Sequence, residues 1–192
     1  MNDVVDQDKR KFLRRVAALA GVVGVAGFVS PFVASMFPSR KAMDAMGPVR
    51  VDISQLKPGQ LNQVLWQGKP VTILHRTDKQ LADLKSNTQD LVDAKSLQSK
   101  QPEDIHLDFR SHKGDYERYL VVLSVCTHLG CVPNYNPDGQ TDYFLCPCHQ
   151  SSFDLAGRVF KGKPANLNLE IPPHCFDPKT GELVIGLNQL EV

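Results

Sequence analysis

No excess of charge of either sign exists in this chain: 22 Lys and Arg stand against 21 Asp and Glu, a formal net charge of +1. That balance excludes a polybasic nucleic-acid binder and an acidic disordered tail. Cysteine is scarce, five in 192 residues, too few for a small disulfide scaffold and odd in number. No internal repeat and no low-complexity segment is found. A mean hydropathy of −0.25 reads as soluble. That average hides a local absence, because residues 16–37 carry no charge at all.

As a helix the uncharged run would rise roughly 33 Å, enough to cross a bilayer core. It is too long for the core of a signal peptide, and no clear A-x-A site follows it. A retained membrane anchor is therefore expected. Lys9, Arg10, Lys11, Arg14 and Arg15 precede it, which places the N-terminus in the cytoplasm and the remainder outside. Gly21, Gly24 and Gly27 would let another membrane helix approach. Pro31 is tolerable near the outer end if the freed backbone groups find partners. The division expected is a basic cytoplasmic segment over 1–15, an anchor over 16–37, a flexible tether over 38–48 and a head over 49–192.

The head alternates short apolar runs with Gly and Pro. Strands are expected over 49–53, 70–75, 119–125, 143–145, 166–171 and 183–186, with a turn at Pro137-Asp138-Gly139. Thr77 can cap a helix starting at Asp78. Residues 86–117 are polar and read as a surface excursion. The fold class implied is mainly β, an antiparallel sandwich or barrel behind one transmembrane helix.

Chemistry is concentrated in two boxes. Cys126-Thr127-His128-Leu129-Gly130-Cys131 follows one strand and Cys146-Pro147-Cys148-His149-Gln150-Ser151 follows another, so both are loops at a sheet end. Three readings fit these residue types. A structural zinc site takes two Cys and two His. A thiol–disulfide pair is suggested by Cys146 and Cys148, though that chemistry usually has two residues between the thiols. A [2Fe–2S] cluster with two Cys on one iron and two His on the other needs one of each from each box.

The paired boxes C-T-H-L-G-C and C-P-C-H-x-S, with 17 residues between His128 and Cys146, resemble the signature of Rieske iron–sulfur proteins. The basic N-terminus, single span, tether and head further resemble the bacterial branch of that family, which serves ubiquinol–cytochrome c reductase. The resemblance implies a Rieske-fold head with a cluster-binding subdomain near 122–172 and one [2Fe–2S] cluster. Cys126 and Cys146 would bind one iron, and His128 and His149 the other. Cys131 and Cys148 would form a disulfide between the loops, suited to an oxidising compartment. Leu129 would shield the cluster, Ser151 would donate to a cluster sulfur, and Gly162 and Pro164 would belong to a loop that covers it. His149 would meet the quinol. Partners implied are ubiquinol, a cytochrome b subunit, a c-type cytochrome and membrane lipid, with no nucleic acid. The location implied is the bacterial inner membrane with the head periplasmic.

Three departures matter. Phe153 stands where many relatives have a tyrosine that bonds a ligand sulfur, Gln150 replaces a frequent glycine, and Asn166 replaces a common proline. Lys9-Arg10-Lys11-Phe12-Leu13 resembles a twin-arginine export signal with Lys for the first Arg. Rival readings are the small Rieske subunit of an exported arsenite oxidase and a zinc-stabilised membrane-anchored interaction module.

Overall fold

A computed structural model describes residues 6–39, 43, 46–136 and 142–190. The chain divides into two compact units, 1–44 and 45–192. Much of the expected tether and the expected turn at Pro137-Asp138-Gly139 lie outside the described residues.

The first unit is helix α1 (Gln7–Ser35), which has no buried residue and is long and apolar enough to cross a membrane. It begins within the basic segment, ahead of the uncharged run. Asp6 caps it, its carboxylate accepting from the backbone N–H groups of Asp8 and Lys9. Pro31 cannot donate to the carbonyl of Gly27, and the Ser30 hydroxyl bonds that carbonyl instead at 3.2 Å.

Among its described residues the second unit holds nine short strands, helix α2 (Asp78–Ser86) and a 3-10 turn (Gly114–Arg118). The strands are β1 (Val49–Val51), β2 (Leu61–Trp66), β3 (Lys69–His75), β4 (Tyr119–Leu123), β5 (Asn134–Asn136), β6 (Tyr143–Leu145), β7 (Ser152–Phe153), β8 (His174–Phe176) and β9 (Leu183–Ile185). They form three antiparallel sheets in the orders β1-β9-β8, β2-β3-β4 and β5-β6-β7. β4 explains the layering. Its Val121 and Leu123 pack with Val51, Val71, Ile73, Leu183 and Ile185, while Leu120 and Val122 pack with Cys126, Phe144, Cys146 and Phe153. A strand buried on both faces reads as an unbroken apolar run, which is why it was legible.

Other elements were less so. β2 turns into β3 through Gln67 and Gly68 at φ 51° and 74°, the left-handed pair of a tight hairpin, but Gln is a rare first residue there. Thr77 caps α2 as expected, within a capping box completed by Gln80. Residues 166–171 are not a strand. Their backbone groups serve three separate partners: Leu169 N–H bonds Gly157, Glu170 accepts from Leu123, and Ile171 N–H bonds Lys100.

The expected surface excursion over 86–117 is also corrected. Leu91, Ile105, Phe109, Arg110 and Ser111 are buried. The irregular backbone is held by three buried guanidinium groups. Arg76 donates to the carbonyls of Phe109, Leu155 and Glu117 and to the Ser111 hydroxyl. Arg110 donates to Ala156, Gly157, Leu169 and the Gln101 side chain. Arg158 pairs with Asp154 at 2.7 Å and reaches Leu84 and Ala94. Burial pulls Arg76 down to about 9 and Arg110 to about 10, so both stay charged at neutral pH.

Replacing Arg110 by Met should strand those carbonyls and lower stability by about 3 kcal/mol, read as a fall in unfolding temperature of the full chain. His174 gives a pH signature. It is fully buried with one ring nitrogen on the Pro172 carbonyl at 2.8 Å, and burial holds its pKa down at about 4. Unfolded, the same imidazole takes a proton near pH 6.5. The unfolded state therefore binds more protons between those values, and stability falls as pH drops from about 6.5 to 4, by roughly 3 kcal/mol. In denaturant titrations His174→Gln should flatten that part of the pH profile.

Candidate metal centre

Both boxes sit where strands end. β4 runs two residues past its last pair into Cys126, and β6 leads directly into Cys146. The two loops then close in the same way. Cys126 N–H bonds Cys131 O at 2.8 Å and Gly130 N–H bonds Cys126 O at 2.9 Å. Cys146 N–H bonds Ser151 O at 2.8 Å and Gln150 N–H bonds Cys146 O at 3.0 Å. Each loop thus fixes a cysteine at its root and a histidine nearer its tip.

The two root thiols, Cys126 and Cys146, are buried and neighbours. The two rings, His128 and His149, meet edge to face with centroids 4.7 Å apart, His149 exposed. Cys131 and Cys148 form a disulfide that ties one loop to the other, leaving Cys126, Cys146 and Cys175 free. The Cys146 sulfur lies within 4.8 Å of both disulfide sulfurs. The donor set left for a metal centre is two thiols and two imidazoles.

Burial pushes the Cys126 thiol above its ordinary value. The His128 backbone N–H opposes this, Cys146 reinforces it, and the Ser151 hydroxyl opposes it. A naked thiolate is thus unfavourable here, and deprotonation is coupled to arrival of a cation. Ser151 is fully buried and its oxygen accepts from Ala165 N–H at 3.0 Å, leaving its proton for sulfur. Thr127, which sequence reasoning passed over, donates to Leu167 O at 2.6 Å. The segment carrying Gly162 and Pro164 is therefore pinned to both boxes, through Ala165 and Leu167. Nothing in sequence marks Thr127, because a hydroxyl between Cys and His has no spacing rule. Leu129 is 71% exposed at the tip of the first loop. Phe153 is fully buried and its ring has no donor.

A family model described as Rieske [2Fe-2S] domain matches residues 48–173. The chain belongs to the Rieske iron–sulfur family. A second model, Ubiquitinol-cytochrome C reductase Fe-S subunit TAT signal, matches residues 2–39, the segment holding the Lys9-Arg10 pair and the anchor. The ubiquinol-cytochrome c reductase iron-sulfur subunit of Allochromatium vinosum is 46% identical over 180 residues, 90% of this chain and 86% of that one. The subunit of the same name from Bradyrhizobium diazoefficiens is 38% identical, covering 88% and 89%. That of Blastochloris viridis is 36% identical, covering 93% of each. Among solved structures, one titled "Hyperthermophilic respiratory Complex III" aligns with a TM-score of 0.49 at 24% identity, covering 88% of this chain and 96% of that chain.

The Rieske donor set fits what the loops offer: a cysteine and a histidine from each, the remaining cysteine pair closed as a disulfide, and hydrogen-bond donors aimed at sulfur. Phe153 supplies none of those donors. Phe153→Tyr should add one and raise the midpoint potential by roughly 40 mV, the one-electron equivalent of a ~1 kcal/mol hydrogen bond. Redox titration of the purified protein checks this, and an unchanged or lowered midpoint would refute it.

Proposed function

We propose that this chain is the electron-carrying Rieske subunit of a membrane-bound quinol–cytochrome c oxidoreductase, in which Cys126, Cys146, His128 and His149 hold the cluster. The observation that carries this is the polarity of the site: buried thiols at the loop roots and two imidazoles at an exposed edge. Bound there, a [2Fe–2S] centre with two neutral imidazoles would supply a one-electron acceptor in the range of roughly −150 to +300 mV, well above all-thiolate clusters.

The chain's own residues do the rest. With a metal held on its inner nitrogen, His149 would have its outer ring nitrogen on the solvent side. That nitrogen, once it has given up its own proton, would accept the hydrogen bond and then the proton of a quinol hydroxyl. Leu129 offers an apolar seat beside it and keeps water from the loop tips. The disulfide holds the two loops in register, and Thr127 and Ser151 hold the covering segment against both. The quinol is ubiquinol and the electrons go on to a cytochrome c, the two substrates in the names of the relatives, with a cytochrome b and a membrane c-type cytochrome as partner subunits. α1 anchors the chain in a bacterial inner membrane. The basic residues ahead of it favour a cytoplasmic N-terminus, and the disulfide suits a periplasmic head.

The test is purification of the whole complex from membranes, with subunits and metals identified. A reduced-state electron spin resonance signal from iron, b- and c-type haem in the same preparation, and quinol oxidation are expected. Zinc with no signal, or a molybdenum partner, would refute the assignment. His149→Ala should alter the signal and slow quinol oxidation at least about 100-fold.

A further inference from the structure

Four described residues other than glycine hold a positive φ: Gln67 at 51°, Ser96 at 51°, Arg110 at 52° and Gln150 at 63°. A side chain in this region is strained relative to glycine. In three of them the side chain returns something to the fold. Gln67 donates to Met46 O at 3.3 Å, the Ser96 hydroxyl accepts from Asn168 at 2.9 Å, and Arg110 holds three carbonyls. Gln150 does not. Its side chain is exposed and its carboxamide bonds none of the described residues.

The conformation itself is imposed by loop closure, through the bond from Gln150 N–H to Cys146 O. The facing loop makes the same bond from Gly130, at φ 85° and with nothing within 4 Å of where a Cβ would stand. The fold thus shows what this turn takes when only the turn matters. The second loop carries a long amide against that preference, next to His149. It is also a donor with little competition. Beyond the two imidazoles, the Thr127 hydroxyl is spent on Leu167 O, and Leu129, Gly130, Pro147 and the disulfide offer no strong donor.

We propose that Gln150 is a substrate-selecting contact, its carboxamide N–H donating to an oxygen substituent ortho to the reacting hydroxyl of the quinol. It would favour alkoxy-bearing quinols over those with methyl at that place. This rests on the quinol-oxidising reading above.

The whole purified complex, wild type, Gln150→Met and Gln150→Gly, is assayed with a dimethoxy benzoquinol and a dimethyl benzoquinol of equal tail length. Met keeps the length and the strain without the donor, and Gly removes both. In each variant the KM for the dimethoxy substrate should rise about fivefold relative to that for the dimethyl substrate, the loss of one neutral hydrogen bond. The electron spin resonance signal and midpoint potential should stay at wild-type values. An unaltered KM ratio in either variant overturns the proposal. So does a loss of cytochrome b from the complex with the ratio intact, which would make Gln150 a docking residue. A wild-type complex that oxidises neither quinol overturns the function itself, before any variant is compared.

Discussion

Irregular backbone can be buried only if its carbonyls find donors, and in this head three guanidinium groups supply several of them. Arg76, Arg110 and Arg158 stand between the segment over 86–117 and the one over 154–172, neither of which is a sheet. A strand would satisfy its backbone through a neighbour and so impose straightness. Charged side chains satisfy it while leaving the chain free to curve. Desolvating three cations is costly, and each is offset by several acceptors together with the Asp154 carboxylate. The apolar core beneath the two loops recruits Leu84, Ile105 and Phe109 from outside the box-bearing stretch, because those arginines bring the segments together.

On that support the site is a matched pair of loops. Each roots a thiol in the core and carries an imidazole nearer its tip, half-buried in His128 and exposed in His149, so the sulfur side is shielded and one ring is open to solvent. Thr127 and Ser151 add a third segment to this arrangement, so the loops are tied by hydrogen bonds as well as by the disulfide.

Much of this was legible in the sequence where chemistry or periodicity is local. The uncharged run, the Thr77 cap, the doubly buried β4 and the two boxes all declare themselves within a few residues. Misreadings came where the deciding contact is distant. The run over 166–171 has strand-like alternation, but three unrelated partners claim its backbone. The stretch over 86–117 is polar enough for a surface loop, and only a guanidinium from elsewhere explains why it is buried. β2 escaped notice because its outer face is exposed and its hairpin turn uses Gln67 where Asn is common. The site's ligand types were visible, whereas the hydrogen bond from Thr127 was not.

The disulfide between Cys131 and Cys148 has a consequence for metal choice. With the Cys146 sulfur so near both of its atoms, the reduced loops would gather three thiols in one small volume, a sulfur-rich set that suits zinc. Oxidising two of them withdraws that softer option and leaves two thiols, Cys126 and Cys146, beside the two imidazoles. The bond therefore edits the coordination chemistry available to the loops, besides tying them together.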